Sequence, residues 1–342
     1  MSNFSNFVGI DVAKKDFYAC FDEQSESRKF NNTALGINSF IRHLSKSNFQ
    51  NQDTIIGLES TGSYHLRLCL QCSALGFQTK VINPLIVKKQ NQTNLRRVKN
   101  DRQDASLIRY CLTTGVGYPF AETADTLLLK SLVRQRNSLA NMRLKNKRQQ
   151  DDVNYKEDCL KTKFNPVYKE IGAILSQKIK KLEKHLKTLR KPEQKLLQTI
   201  PGVGPITAVS FISEINDIKR FKQSKQLTAY IGLDSRVHQS GTSIRGKGYI
   251  SKRGNKILRT RLYNAASVAI LHPNLFQSFF QKKRAEGKPY KVALVAVMHK
   301  MTNVIHSVWT NNKPFFDYTA DNQKEAWRPL GLSTDWSWRG YN

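Results

Sequence analysis

The chain has 342 residues and a formal net charge of +30, from 56 lysines and arginines against 26 acids. That length accommodates two or three domains with real cores, and 39% hydrophobic content excludes a disordered chain. A charge of this size repels itself in a compact monomer and calls for a polyanionic partner, with nucleic acid ahead of a membrane or an acidic protein.

The longest apolar stretch, near residues 290–298, falls far short of the roughly 20 residues that span a bilayer. The N-terminus has no basic region followed by an apolar core, so no signal peptide is read. Cys20, Cys69, Cys72, Cys111 and Cys159 make an odd count, which predicts reduced thiols in a cytoplasm. Cys69-x-x-Cys72 has no second pair at zinc spacing and reads as buried positions on a helix.

Residues 6–11 and 16–22 read as strands joined by a tight Ala-Lys-Lys turn, with a third strand at 27–31. Ile37, Phe40, Ile41 and Leu44 stand at helical spacing within 35–47. Thr54–Glu59 is a short buried strand. Ser60 or Thr61 then caps a helix expected to run to Leu75, where Gly76 ends it. Residues 77–83 form the next strand, and Pro84 starts a helix or a turn. This alternation gives an α/β domain over 1–120, with an order matching an RNase H-like (RuvC-like) sheet.

Residues 121–192 change in character. Between 127 and 191 there are 18 Lys/Arg and 6 Asp/Glu, so the segment is basic. Positions 128, 132, 135, 139 and 142, and again 175, 179, 182, 186 and 189, step by 4, 3, 4, 3. That is a coiled-coil seam and predicts two long helices, antiparallel to each other or paired between subunits. Asn165-Pro166 is expected to break the run.

A mainly α domain is expected over 193–318, followed by a tail, 319–342. In IPGVGPITA, Gly202 and Gly204 between apolar helices suggest a helix-hairpin-helix turn that approaches a phosphate, or else a purely structural hairpin. From Lys219 to Arg261 there are twelve Lys/Arg and a single acid, Asp234. Arg245, Lys247, Lys252 and Arg253 interleave there with glycines and hydroxyls, a composition suited to gripping a nucleic-acid backbone. A basic helix starts near Lys256. The aromatics of the tail, among them Trp327, Trp336 and Trp338, read as core cover ahead of base stacking.

Against so much positive charge, four acids stand out: Asp11 in GIDVAKKD, Glu59 in GLESTGS, and Asp101 with Asp104 in KNDRQDA. Asp11 and Glu59 end strands that are neighbours in an RNase H-like sheet. Asp101 and Asp104, three apart, share one face of a helix. Singly, each suits a strand-end turn or an N-cap. Jointly, they suit divalent metal, with two magnesium ions as the first choice and manganese as the alternative. Arg96, Arg97, Lys99 and Arg102 surround the second pair and are placed to hold the scissile strand.

These motifs together resemble the DEDD transposases of the "one-ten" family of insertion sequences, related to the Piv DNA invertase. GIDVAKKD, GLESTGSY and KNDRQDA match the RuvC-like domain of that family, and IPGVGPITA with HQSG…GKGYISKRGNKILR matches its C-terminal transposase domain. The resemblance implies that Asp11, Glu59, Asp101 and Asp104 hold magnesium, and that Ser240 of the Gln-Ser-Gly segment attacks DNA to form a serine–DNA phosphodiester. It also implies double-stranded DNA as substrate, a structured bridge RNA as guide, and a homo-oligomer with a composite site, acting at the bacterial nucleoid. The competing readings are a Holliday-junction endonuclease using the same four acids, and a nucleic-acid-binding protein without catalysis.

Overall fold

In the computed structural model, which describes residues 4–22, 26–60, 62–92, 101–236 and 249–316, the chain divides into two units, Met1–Ala124 and Asp125–Asn342. Alternating apolar residues build the sheet of the first unit. β1 (Asn6–Val12), β2 (Asp16–Cys20) and β3 (Arg28–Asn31) form an antiparallel meander. α1 (Ala34–Lys46) follows, its first turn capped by the Thr33 hydroxyl, which accepts the Gly36 N–H at 3.2 Å. β4 (Thr54–Glu59), α2 (Leu66–Ala74), β5 (Gln78–Ile82), α3 (Pro84–Gln92), α4 (Asp101–Thr113) and β6 (Tyr118–Pro119) complete the unit. The strand order is β3-β2-β1-β4-β5-β6, with β1, β4 and β5 mutually parallel. This six-stranded mixed sheet is consistent with an RNase H-like domain.

The pleat sorts the strand residues. Val8, Ile10 and Val12 of β1, with Ile56 and Leu58 of β4, pack among Phe17, Phe30, Phe40 and Leu68. Phe7, Ile55 and Ile82 face the other way, against Ile108, Cys111 and Leu112 of α4. α2 differs from expectation. It begins at Leu66 rather than at Ser60, because Gly62 takes a left-handed φ of 58° and residues 62–65 form turns. Thr61 lies outside the described residues. β6, only two residues long, is too short for any periodicity to announce.

In the second unit, α5 (Ala124–Val153) and α6 (Asp158–Leu186) form an antiparallel pair. Asn154 meets Asn165, Asn146 Nδ2 donates to the Tyr168 carbonyl at 2.8 Å, and Arg136 pairs with Glu183. Pro166 does not break the run but lies inside α6. An interior proline costs roughly 3 kcal/mol. Here the reversal comes earlier, at 154–157, where Glu157 leaves helical space with ψ 151°. Of the five positions expected on the α6 seam, Ile179 and Leu186 are buried and the others half-buried. On α5 it is displaced by one residue: Leu129 and Val133 are buried, while Leu128 and Met142 are more than half exposed.

α7 (Lys191–Gln198), α8 (Pro205–Ile215), α9 (Ser224–Ile231), β7 (Ser235–Arg236), β8 (Tyr249–Ile250), α10 (Lys256–Ala269), α11 (Leu275–Ala285) and α12 (Tyr290–Asn311) follow. α8 and α12 supply much of the core, with Phe211, Ile212, Leu294 and Met301 buried among α10 side chains. β7 and β8 pair as a short hairpin stem. No described helix is long and apolar enough to cross a membrane.

Candidate active site and nucleic-acid interface

Asp11 and Glu59 stand side by side near the C-terminal ends of β1 and β4, Asp11 one residue before the strand's end at Val12. Parallel pairing of β1 with β4 aligns Gly9 with Gly57 and Ile10 with Leu58, so the next residue on each strand is an acid. Side chains alternate along a strand, so both acids share the face of Gly9 and Gly57. That is the face covered by α4. The two loops that leave from these strand ends are stitched together by Asn32, whose amide donates to the carbonyls of Ala13 at 3.0 Å and Tyr64 at 3.3 Å.

The glycines set the closeness of α4. A Cβ on Gly9 would lie 2.2 Å from the Arg109 nitrogen and 2.3 Å from the Ala105 carbonyl. One on Gly57 would lie 2.5 Å from Leu112. At Gly9 the helix backbone therefore rests on the strand backbone, and at Gly57 the space is filled by the Leu112 side chain. Arg109 Nε donates to the Phe7 carbonyl at 3.1 Å, and Ser106 reaches Cys20 on β2. The C-terminal half of α4 packs with Phe4, Phe7 and Ile55 at the N-terminal ends of the strands. Its N-terminal turns, carrying Asp101 and Asp104, therefore run toward the end of the sheet that holds Asp11 and Glu59. Neither glycine was marked by the sequence reading, although both stand two residues before an acid, in GID and GLE.

Asp104 is half-buried, like Asp11 and Glu59, and none of the three is without an interaction. Asp101 opens α4, and its side chain, like that of Arg102, lies outside the described residues, as do Arg96, Arg97 and Lys99. Among the described residues no three His, Cys, Asp or Glu side chains close on a common point at metal-holding distance. The donor set that the fold directs to this end is all carboxylate, the oxygen chemistry magnesium takes. The cysteines offer no rival site. Cys69 and Cys72 are fully buried on α2, and burial pushes the Cys72 thiol up to about 12 and raises that of Cys69 further.

The other candidate nucleic-acid contacts belong to the second unit. Gly202 takes a left-handed φ of 83°, and its Cβ position is filled by the Ala265 carbonyl of α10 at 2.2 Å. Its missing side chain thus serves helix packing. Gly204 caps α8 and has open space on its Cβ side. Lys252 and Arg253 are exposed beyond β8, while Ser240, Arg245 and Lys247 lie outside the described residues.

Glu214 is a further group that the sequence reading passed over. It sits in the apolar run of α8, with a side chain only 1% exposed. Arg134 of α5 donates to both carboxylate oxygens, at 2.9 and 3.0 Å, and Asn255 Nδ2 donates to Oε2 at 2.8 Å. Burial pushes the carboxyl up, but the bonds from Arg134 and Asn255 outweigh it and hold the group below its ordinary range.

Both units match known proteins. A family model of DEDD transposases of the IS110 type matches residues 8–153, and one described as a transposase of the IS116/IS110/IS902 family matches residues 194–281. A pilin gene-inverting protein of Moraxella bovis is 27% identical over 319 residues, covering 90% of this chain and 97% of that protein. The transposase for insertion sequence element IS1328 of Yersinia enterocolitica is 27% identical over 289 residues, covering 76% of this chain and 83% of that one. The transposase for IS1111A of Coxiella burnetii is 36% identical over 138 residues, 39% of this chain and 38% of that one. The first model spans β1, β4 and α4 with their acids, the second spans the glycine turn and the hairpin stem, and the chain belongs to the IS110 family of DEDD transposases.

Proposed function

We propose that this transposase cuts and rejoins double-stranded DNA by a magnesium-dependent reaction in which Ser240 is the nucleophile. The observation that carries the reading is the alignment of Asp11 with Glu59 at one end of the sheet, beneath a helix that brings Asp101 and Asp104 toward the same end. Magnesium held there would stabilise charge on the phosphate and on the departing oxygen. The Ser240 hydroxyl loses its proton to solvent and bonds to phosphorus, while the P–O bond to the sugar of the cut strand breaks and the leaving oxygen takes up a proton to become a hydroxyl. The hydroxyl of the incoming strand then attacks the same phosphorus and displaces the serine, so the bond energy is kept.

The remaining basic positions, Arg96, Arg97, Lys99, Arg102, Arg245, Lys247, Lys252 and Arg253, grip phosphates, and Gly204 offers backbone N–H groups at the start of α8. A charge of +30 exceeds what a short DNA site needs, which favours a structured guide RNA as an additional polyanion. On α6, Phe164, Val167, Ile171 and Ile174 step by 3, 4, 3 and are each 41–49% exposed. That stripe suits coiled-coil pairing with a second copy. The setting is the bacterial nucleoid.

Recombination in cells carrying the gene within its own flanking DNA tests the chemistry. Ser240→Ala and Asp11→Ala are each expected to abolish it, and denatured wild-type protein is expected to retain a covalent strand. Strand exchange by Ser240→Ala would exclude the serine route and leave hydrolysis by the acids. Full recombination by Asp11→Ala would exclude the metal site.

A further inference from the structure

We infer that Arg136, Asn137 and Arg261 form a phosphate-binding site at the junction of α5, α6 and α10, and that its ligand is a backbone phosphate of nucleic acid. The inference rests on the reading that this transposase holds a polyanion on its basic surface. All three helices belong to the second unit. Helical spacing puts charged residues on faces that are otherwise apolar. Arg261 stands three residues after Leu258 and four before Ala265, both buried on α10. Arg136 follows the buried Val133 by three on α5, and Glu183 lies between the buried Ile179 and Leu186 on α6.

The charges at this junction do not balance. Arg136 Nε donates to Glu183 Oε1 at 2.8 Å, and Arg136 Nη2 pairs with the same oxygen. Glu183, already bound by Arg136, is also the acid whose charge acts on Arg261. Arg261 Nη2 donates to Asn137 Oδ1, which accepts from Arg136 Nη1 as well, at 3.5 Å. Two guanidinium groups thus share one carboxylate and one amide oxygen. Burial and the Arg136 charge together push Arg261 down to about 10. The Asn137 Nδ2 is buried and, among the described residues, has no hydrogen-bond partner. A surplus guanidinium and an unpaired donor are both costly at a helix junction, and an anion offsets both at once. Arg136, Asn137 and Arg261 are half-buried rather than sealed, so the cluster can be reached from the surface. A phosphate offers negative charge and several acceptor oxygens in a geometry that guanidinium groups match. The net charge of +30 makes nucleic acid the source of that phosphate.

Asn137→Asp separates a ligand site from a structural cluster. It keeps the size of the side chain, gives Arg261 a carboxylate of its own and removes the Nδ2 donor. The full-length variant is therefore expected to melt at or above the wild-type temperature. Its affinity for duplex DNA from the gene's own flank, and for RNA transcribed from that flank, is expected to fall roughly tenfold. Arg261→Gln is expected to act likewise. In both variants the slope of log affinity against log salt should lose about 0.9 for duplex DNA, or about 0.7 for a single strand, the share of one phosphate contact. Ser138→Asp, exposed and one residue further on, adds the same charge and is expected to leave affinity and slope nearly unchanged. Wild-type affinity and slope in both Asn137→Asp and Arg261→Gln, or an equal loss in Ser138→Asp, would overturn the inference. Melting temperatures lowered in both variants with affinity kept would make the cluster structural and overturn it too. Inorganic phosphate that raises the melting temperature of wild type but not of Arg261→Gln, with nucleic-acid affinity equal in the two, would assign the site to free phosphate and overturn the backbone contact. If the wild-type chain binds neither duplex nor RNA, the nucleic-acid reading itself fails, and the inorganic-phosphate measurement alone decides whether the cluster is an anion site.

Discussion

Asp11 and Glu59 are aligned by backbone register, whereas Asn255, at the start of α10, is held by the Glu214 carboxylate that Arg134 also binds. A register fixes neighbouring residues on parallel strands to the same level wherever the strands pair at all. A side-chain hub holds only while each member keeps its partner and its charge. The first construction should therefore tolerate change around the acids but not at them. The second should yield to the loss of any one member.

The largest effect is expected from the acids. On the proposed reading Asp11→Ala takes away one carboxylate of the metal site, and a bound ion is worth several kcal/mol to such a transition state, so strand cleavage should fall on the order of 10³-fold with little change in melting temperature. Unchanged cleavage would place the chemistry elsewhere.

Gly9→Ala sharpens the comparison, because it alters no charge. Its methyl meets the α4 backbone, and overpacking of this kind costs about 1–3 kcal/mol. The helix bearing Asp101 and Asp104 must shift, so cleavage should drop more than the loss of stability predicts. A proportional loss of both would reduce the glycine to packing alone.

Arg134→Met breaks the hub from outside. A fully buried pair loses about 3–5 kcal/mol when one partner goes, but Arg134 is 55% exposed, so roughly 2 kcal/mol is expected in thermal or urea unfolding. The pH profile gives the sign. The Glu214 carboxyl is held below its ordinary range, so its contribution is full above the usual carboxylate pKa of about 4.3 and is lost as pH falls through the depressed value. In Arg134→Met, burial acts without its main counterweight, and the loss should begin at higher pH. Identical acid-unfolding profiles would show that the pair adds nothing.

The smallest effect on the folded chain is expected from Ile171→Lys, since Ile171 is 41% exposed. Monomer stability should change by no more than ~0.5 kcal/mol, while sedimentation should show a lighter species if the α6 stripe pairs copies.

The two regions also differed in how far they could be read from residues alone. The strand positions of Asp11 and Glu59 are legible because each follows a short apolar run, although β1 goes on one residue further, to Val12. Thr54–Glu59 was placed to the residue. On α6 the 4, 3 spacing picks out the buried Ile179 and Leu186. The α5 seam was not, since Leu128 and Leu129 are both leucine and only packing decides which turns inward. Glu214 was hidden for a similar reason. Among PITAVSFISEI it looks like the polar end of a helix, and its partners lie 80 residues before it and 41 after it. Gly9 and Gly57 were equally silent, because their role depends on a helix that arrives from far along the chain.

On the proposed reading, β1, β4 and α4 present their carboxylates to one shared divalent ion. Titration of the full chain with Mn²⁺, followed by electron paramagnetic resonance, tests this directly. Binding is expected to be tight in the wild type and weakened at least tenfold in each of Asp11→Asn, Glu59→Gln and Asp104→Asn. Wild-type affinity retained in all three variants would contradict it.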